Sequence, residues 1–226
     1  MGYGLKILSG NGSIQVDSDN TNKVIYQLDN TLSFTGTFTV GAAATAAGYG
    51  TASVPLIGGA SALAEKILFF RPDYSATTPG SSLWIYYTNE GFFAFGYPEN
   101  STWEHAAFRR VDQSPNETGY GLEVYASDGS SKRFTSSVQS LRIKGVIKDE
   151  GPAVDGTNLW ATNSGLIESW KIPFGYIRAW AVNFSSSAVS QAIEEISESR
   201  DDGNGDSFLP ITLSSESKCI VADLAI

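Results

Sequence analysis

The residue types able to do chemistry are few in this chain, and their spacing limits what each can do. His105 is the single histidine, so one copy cannot build a multi-histidine metal site or a metalloprotease motif. A Ser-His-Asp triad would have to be assembled around it, but no Gly-x-Ser-x-Gly elbow or comparable nucleophile context occurs, and Trp103-Glu104-His105 reads as a loop or strand edge. Cys219 is the only cysteine, which excludes an intrachain disulfide and a thiolate cluster. Its setting, Cys219-Ile220-Val221, reads as a small buried hydrophobe. Asp202-Gly203-Asn204-Gly205-Asp206 has the opening spacing of a calcium loop, yet Ser207 stands where the turn needs Gly and Leu213 where it needs a bidentate Glu. An acidic polar turn is the reading that remains. Glu90, Glu99, Glu104 and Asp112 flank an aromatic region in which a carboxylate pair would serve glycoside hydrolysis. The simpler reading makes them solvated turn acids beside core rings. Gly2-Tyr3-Gly4 and Gly48-Tyr49-Gly50 lack the strand-turn-helix context of a phosphate or dinucleotide loop. The expectation is a protein that is not an enzyme, with no catalytic residue, no cofactor and no metal.

Composition narrows the partners. A chain of 226 residues is long enough for one large all-β domain or two small ones, and its 12% aromatics and 23 Gly favour strands and turns over helices. A net charge of −9 and a pI near 4.6 argue against nucleic acid or an anionic membrane as partner. Only Lys132-Arg133, Arg142, Lys144 and Lys148 make a locally basic run, which reads as the solvated face of a strand. Gly4 to Leu8 is too short for the apolar core of an export signal, and Val40 to Ala64, rich in Ala, Gly and Thr and interrupted by Pro55, is a poor membrane span. The expectation is a soluble protein made in a cytoplasm.

Strand signals run along the whole chain. Lys23 to Gln27 and Leu32 to Val40 come first, the latter alternating Leu32, Phe34 and Phe38 with Ser and Thr. Gly41 to Gly50 has low complexity and reads as a loop or contact arm. Lys66 to Arg71 is a continuous apolar run stopped by Pro72, as a strand buried on both sides requires. Leu83 to Thr88 and Phe92 to Tyr97 flank Asn89-Glu90-Gly91 and predict an aromatic hairpin at the centre of the core. Phe108 to Glu117 is polar and rich in turn residues, which makes it the best internal boundary. Further strands are expected at Ser140 to Lys148, Leu166 to Trp170, Tyr176 to Phe184, Ile211 to Leu213 and Cys219 to Ala222. One short helix is expected at Ser187 to Glu198, where Val189, Ala192, Ile193 and Ile196 fall on one helical face, although its acidic C-terminal end opposes the helix dipole. The expected fold is all-β, with hairpin-rich sandwich or barrel layers and at most one short helix. Among its rings, Trp84, Tyr86, Tyr97 and Trp103 are the candidates for a ligand-facing aromatic platform.

A short pattern occurs twice. Gly2-Tyr3-Gly4-Leu5-Lys6-Ile7-Leu8 leads into Asn11-Gly12-Ser13, and Gly119-Tyr120-Gly121-Leu122-Glu123-Val124-Tyr125 leads into Asp128-Gly129-Ser130. Asn-Gly and Asp-Gly tolerate the positive φ of a tight hairpin turn, and an extended run follows each: Ser13 to Val16, and Lys132 to Thr135. The chain is therefore expected to divide into an N-terminal β region, 1–112, holding the aromatic hairpin, and a C-terminal β region, 113–226, opening with the second copy. Met1 to Ile7, the Gly-containing turn and Val16-Asp17-Ser18 resemble the start of small structural proteins of tailed-bacteriophage virions, over about thirty residues. That resemblance implies a non-enzymatic building block attached to the tail or baseplate in several copies, synthesised in the host cytoplasm and bound to other virion proteins and to itself. No functional residues carry over from it. A capsid decoration protein and a carbohydrate-binding or receptor-binding β module are the alternatives, the last with glycan as partner.

Overall fold

The computed structural model describes residues 6–8, 14–17, 26–28, 35–43, 48–56, 66–77, 79–110, 122–126, 128–130, 132–135, 141–162, 168–170, 174–200 and 217–224. Among them every helix or strand is a strand. They are β1 (Lys6–Leu8), β2 (Ile14–Asp17), β3 (Tyr26–Leu28), β4 (Thr35–Thr39), β5 (Gly50–Pro55), β6 (Lys66–Pro72), β7 (Ser81–Tyr87), β8 (Gly91–Tyr97) and β9 (Thr102–Arg110), followed by β10 (Glu123–Tyr125), β11 (Lys132–Thr135), β12 (Leu141–Lys148), β13 (Val154–Asp155), β14 (Trp160–Ala161), β15 (Glu168–Trp170), β16 (Phe174–Phe184), β17 (Ala188–Arg200) and β18 (Lys218–Leu224).

Two seven-stranded antiparallel sheets form a β-sandwich, with β1–β2 and β10–β11 as separate hairpins. The first sheet runs β12-β18-β14-β6-β9, and the far edge of β9 takes β3 and β4 end to end. The second runs β13-β17-β16-β7-β8-β5, with β15 sharing an edge of β16 with β7. Between them lie Phe38, Leu68, Phe70, Trp103, Ile147, Cys219 and Val221 from the first sheet and Leu83, Ile85, Phe92, Val182, Phe184 and Val189 from the second. The Phe92 ring is the hub, edge-on to Phe38 at 5.5 Å and to Phe70 at 5.4 Å. Such pairs add about 0.5–1.5 kcal/mol each beyond their buried area. The unbroken apolar run in β6 has the expected cause: Leu68 and Phe70 face the sandwich core, while Phe69 enters a second cluster with Ala106, Phe108, Trp160 and Ala222 on the other face.

The predicted helix at Ser187 to Glu198 is corrected to strand β17, which pairs with β16 from Val189–Phe184 to Arg200–Phe174. Its apolar spacing fits a helix, but an eleven-residue neighbour supplies a backbone ladder that outweighs weak helix propensity. In the Gly41 to Gly50 segment Ala43 bridges to Gly50, so the two described ends lie side by side ahead of β5. Phe108, at the start of the expected boundary, belongs to β9, and Asp112, the acidic turn 201–206 and the expected strand 211–213 lie outside the described residues.

The strand pairings repeat along the chain. In the first half β6 pairs with β9, β9 with β3 and β4, β7 with β8, and β8 with β5. In the second half β14 pairs with β18, β18 with β12, β16 with β17, and β17 with β13. The correspondence reaches single bonds. Leu56 N donates to Glu90 O and Gly156 N to Ser187 O, both at 2.8 Å; Val40 N donates to Ser101 O at 3.0 Å and Asp149 N to Ser217 O at 2.9 Å. Gly36 faces His105 in one half, and Gly145 faces Val221 in the other. The halves join in both sheets, at Phe70–Ala161 and along Leu83–Val182. Matching the turn Thr88 to Gly91 with Ser185 to Ala188 makes Trp84 the counterpart of Ala181. A local two-fold axis therefore passes beside Phe70 and Ala161 in one sheet and beside Trp84 and Ala181 in the other. Each half opens with its hairpin, both hairpins shift register at the same place (Ile7/Leu8 and Val124/Tyr125), and β2 lies against β11.

Since Phe92 is the hub of the joined core, Phe92→Ala is expected to lower unfolding free energy in urea by about 3–5 kcal/mol. A loss below about 1 kcal/mol, the range of a surface change, would contradict that placement.

Candidate functional site

Of the four predicted platform rings, Trp103 and Trp84 are buried. Trp103 lies wholly inside the sandwich, its Nε1 donating to Ser101 Oγ at 2.8 Å and its ring edge-on to Phe184 at 5.7 Å. Alternation on β9 turns it inward with His105 and Ala107, so it presents no face to a ligand. Trp84 is on the outer face of the second sheet but is also buried, packed with Tyr49, Ala179 and Phe95. Tyr97 is open, with 42% of its surface exposed. Tyr86 stands opposite Phe93 in the β7–β8 ladder, and its side chain is outside the described residues.

The candidate chemical groups are dispersed as well. His105 sits in the core against Phe92 at 5.5 Å and Phe38 at 6.0 Å, and burial pulls its pKa down to about 4. It is a neutral core residue at neutral pH. Burial pushes the Cys219 thiol up to about 12, and its Sγ donates to Thr162 O at 3.0 Å. Glu90 occupies the turn at one end of β8 and Glu99 follows its other end, where the carboxylate accepts from Ala43 N. Glu104 is on the first sheet, paired with Arg71, whose guanidinium lies 4.5 Å over the Trp160 ring. Glu90 and Glu99 thus lie at opposite ends of β8, and Glu104 is held in an ion pair on the other sheet. Among the described residues no group of three or more His, Cys, Asp or Glu is placed to hold a metal ion, and no helix is long and apolar enough to cross a membrane.

Polar groups do converge on the outer face of the second sheet. The Tyr49 hydroxyl donates to Glu194, and Ser82 Oγ donates to Asn183 Oδ1 and lies 3.4 Å from Glu194 Oε1. The Tyr49 and Tyr97 rings are 5.6 Å apart, and Trp84 and Phe95 form the adjoining apolar floor at 5.1 Å. Local sequence explains the placing of Tyr49: Gly48, at φ +83°, turns the chain into β5 so closely to Tyr97 that an added Cβ would stand 3.4 Å from its ring. Burial, then the hydrogen bond to Glu194, raises the Tyr49 pKa far above the ordinary range. The phenol therefore stays protonated and donates. A fixed donor, a carboxylate, an amide and a partly open ring suit hydrogen bonding to a hydroxyl-rich ligand better than proton transfer. Sequence reasoning missed Tyr49, Ser82, Asn183 and Glu194 because they come from four separate strands or strand approaches; only the sheet brings them together.

His105 makes stability depend on acid in a defined window. Its folded pKa, about 4, is below the ordinary value of 6.5, so the unfolded chain takes up the proton first as pH falls. The neutral imidazole's contribution is complete above pH ~6.5 and is lost towards pH ~4, by up to ~3 kcal/mol. His105→Leu is expected to flatten acid denaturation by about one proton over that interval, as measured by urea titrations across pH. An unchanged slope would locate the acid sensitivity elsewhere. No protein-family model, no curated protein and no solved structure matches this chain.

Proposed function

We propose that this chain is a non-enzymatic structural component of a tailed-bacteriophage virion, associated with the tail or baseplate and acting through contacts with copies of itself and with other virion proteins. The observation that supports this most is the repeat. Each half opens with the Gly-Tyr-Gly-Leu hairpin, the first of which carries the resemblance to small virion proteins, and β2 of one hairpin lies against β11 of the other. A sandwich made of two such halves offers related surfaces on either side of its axis, a geometry suited to repeated contacts. The placement of residues agrees with a scaffold: Trp103 and His105 fill the core, and Trp84 packs beneath Tyr49. Mass spectrometry of purified particles is expected to find the protein in virions, and immunogold labelling is expected to mark the tail. Label confined to the head would favour a capsid decoration protein, and absence from particles would remove the virion reading.

Tyr97 favours a second reading, a carbohydrate-binding or receptor-binding β module. It combines an exposed ring with the neighbouring Tyr49, Ser82, Asn183 and Glu194 network. An array of bacterial surface glycans is expected to show binding that Tyr97→Ala weakens by about tenfold, the order of an aromatic contact. A blank array at high protein concentration would remove this reading.

A further inference from the structure

We propose that the strand edges at the β12–β13 end of the sandwich form a two-fold interface between two copies of this chain, the basic β12 of each copy docking on the acidic edge of the other's β17 that is left unpaired among the described residues. This rests on the subunit-contact reading above and names the surface that makes the contact.

The internal repeat exposes the vacancy. In the first half β5 pairs with β8 from Pro55–Gly91 to Gly50–Gly96, covering nearly the whole strand. In the second half β13 meets β17 only at Ala188 and Val189. Among the described residues, the outer edge of β17 from Ser190 onward therefore has no neighbouring strand. Such an edge is a template for another strand. On this bare stretch Ile193 is 41% exposed, and the strand carries Glu194, Glu195 and Glu198 before a lone Arg200.

The opposite character is found on β12, the outermost strand of the first sheet at the same end. Leu141 to Lys148 contains Arg142, Lys144 and Lys148 and no acid, in a chain of net charge −9. Ile143 and Val146 on it are 51% and 57% exposed. The register shift between Ile143 and Gly145 leaves Lys144 without a partner position on β18, and its side chain is exposed. Arg142 is paired with Asp223 inside the chain, so Lys144 is the cation on which recognition depends most.

Geometry and charge select the arrangement. β12 abuts β13 so closely that a Cβ on Gly145 would stand 2.7 Å from Val154 Cγ2, and β13 is paired to β17. The basic and acidic edges therefore belong to one end of the sandwich. A two-fold axis there can join like edges or unlike edges. Like pairing sets lysines against lysines and glutamates against glutamates, which is destabilising between neighbouring strands. Unlike pairing places Lys144 near the acidic run twice over and brings Val146 and Ile193 together. Lysine on an edge strand prevents β12 from pairing with itself while leaving it complementary to an acidic strand.

Sedimentation equilibrium of the full chain tests this, the protomer mass being 24.2 kDa. The wild type is expected to form a dimer whose association weakens as salt rises. Lys144→Glu and Glu195→Lys are each expected to weaken it by about tenfold, since the two-fold makes either change count twice, and the double swap is expected to restore it. Far-ultraviolet circular dichroism checks that each variant keeps its strands. A protein monomeric at all concentrations, a Lys144→Glu dimer of wild-type strength, or a double swap no stronger than the single variants would overturn the interface. A monomer present in virions would sink the interface alone, and a dimer absent from virions would sink the virion reading alone.

Discussion

The fold depends on backbone pairing between its two halves. β6 and β7 each use one edge inside the first half, and β14 and β16 do the same inside the second; their other edges meet across the local two-fold axis. In the middle of a sandwich those N–H and C=O groups have no water to turn to, and leaving them unpaired would cost a desolvation penalty at each. Neither half is therefore a closed unit. The same pairing places Phe70 beside Ala161 and so aligns the core faces of both halves around Phe92. Register in the central strands and packing in the core are one constraint seen from two sides.

What the halves keep and what they change follows from that constraint. Facing the core, Ile85 corresponds to Val182 and Phe92 to Val189, apolar in both. On the outer face of the second sheet, Trp84 corresponds to Ala181, Phe95 to Ala192, Phe93 to Ser190 and Tyr97 to Glu194. One half supplies rings and the other supplies small or polar groups. Where the halves meet, large beside small fills the space that two tryptophans would overpack. The Tyr49, Ser82, Asn183 and Glu194 network occupies this asymmetric face. His105 in place of Val221 is a second departure, and it puts a titratable group in the core of one half only.

Much of the fold was legible in the sequence, and the reasons are local. The apolar run at Lys66 to Arg71, the aromatic hairpin around Asn89-Glu90-Gly91 and the long strand ending at Phe184 all carry period and turn chemistry in a few consecutive residues. The second copy of the repeated hairpin was legible because Gly129, at φ +69°, sits where backbone conformation rather than packing selects the residue. β17 was not, because the spacing of Val189, Ala192, Ile193 and Ile196 fits one face of a helix and only the pairing with β16 makes the segment a strand. The burial of Trp84 and Trp103 was not legible for a related reason. Composition locates rings on strands, but which side of a strand faces a second sheet is a tertiary fact; Trp103 points into the core, and Trp84 on an outer face is covered by Tyr49 and its neighbours. The polar network was illegible for the same cause in stronger form, since Tyr49 and Glu194 are separated by 145 positions.

The departures from internal symmetry also account for how charge is distributed. In the first half β5 covers β8 with Gly50-Thr51-Ala52-Ser53-Val54-Pro55, a strand without charges, and neutral residues suffice because the paired edge is closed. In the second half the shorter β13 leaves β17 uncovered among the described residues, and that strand carries acids, while the exposed β12 carries bases. A neutral open edge would be free to pair with any extended chain. Opposite charge on the two open edges restricts pairing to complementary strands, so the same asymmetry that removes one covering strand confines what can replace it.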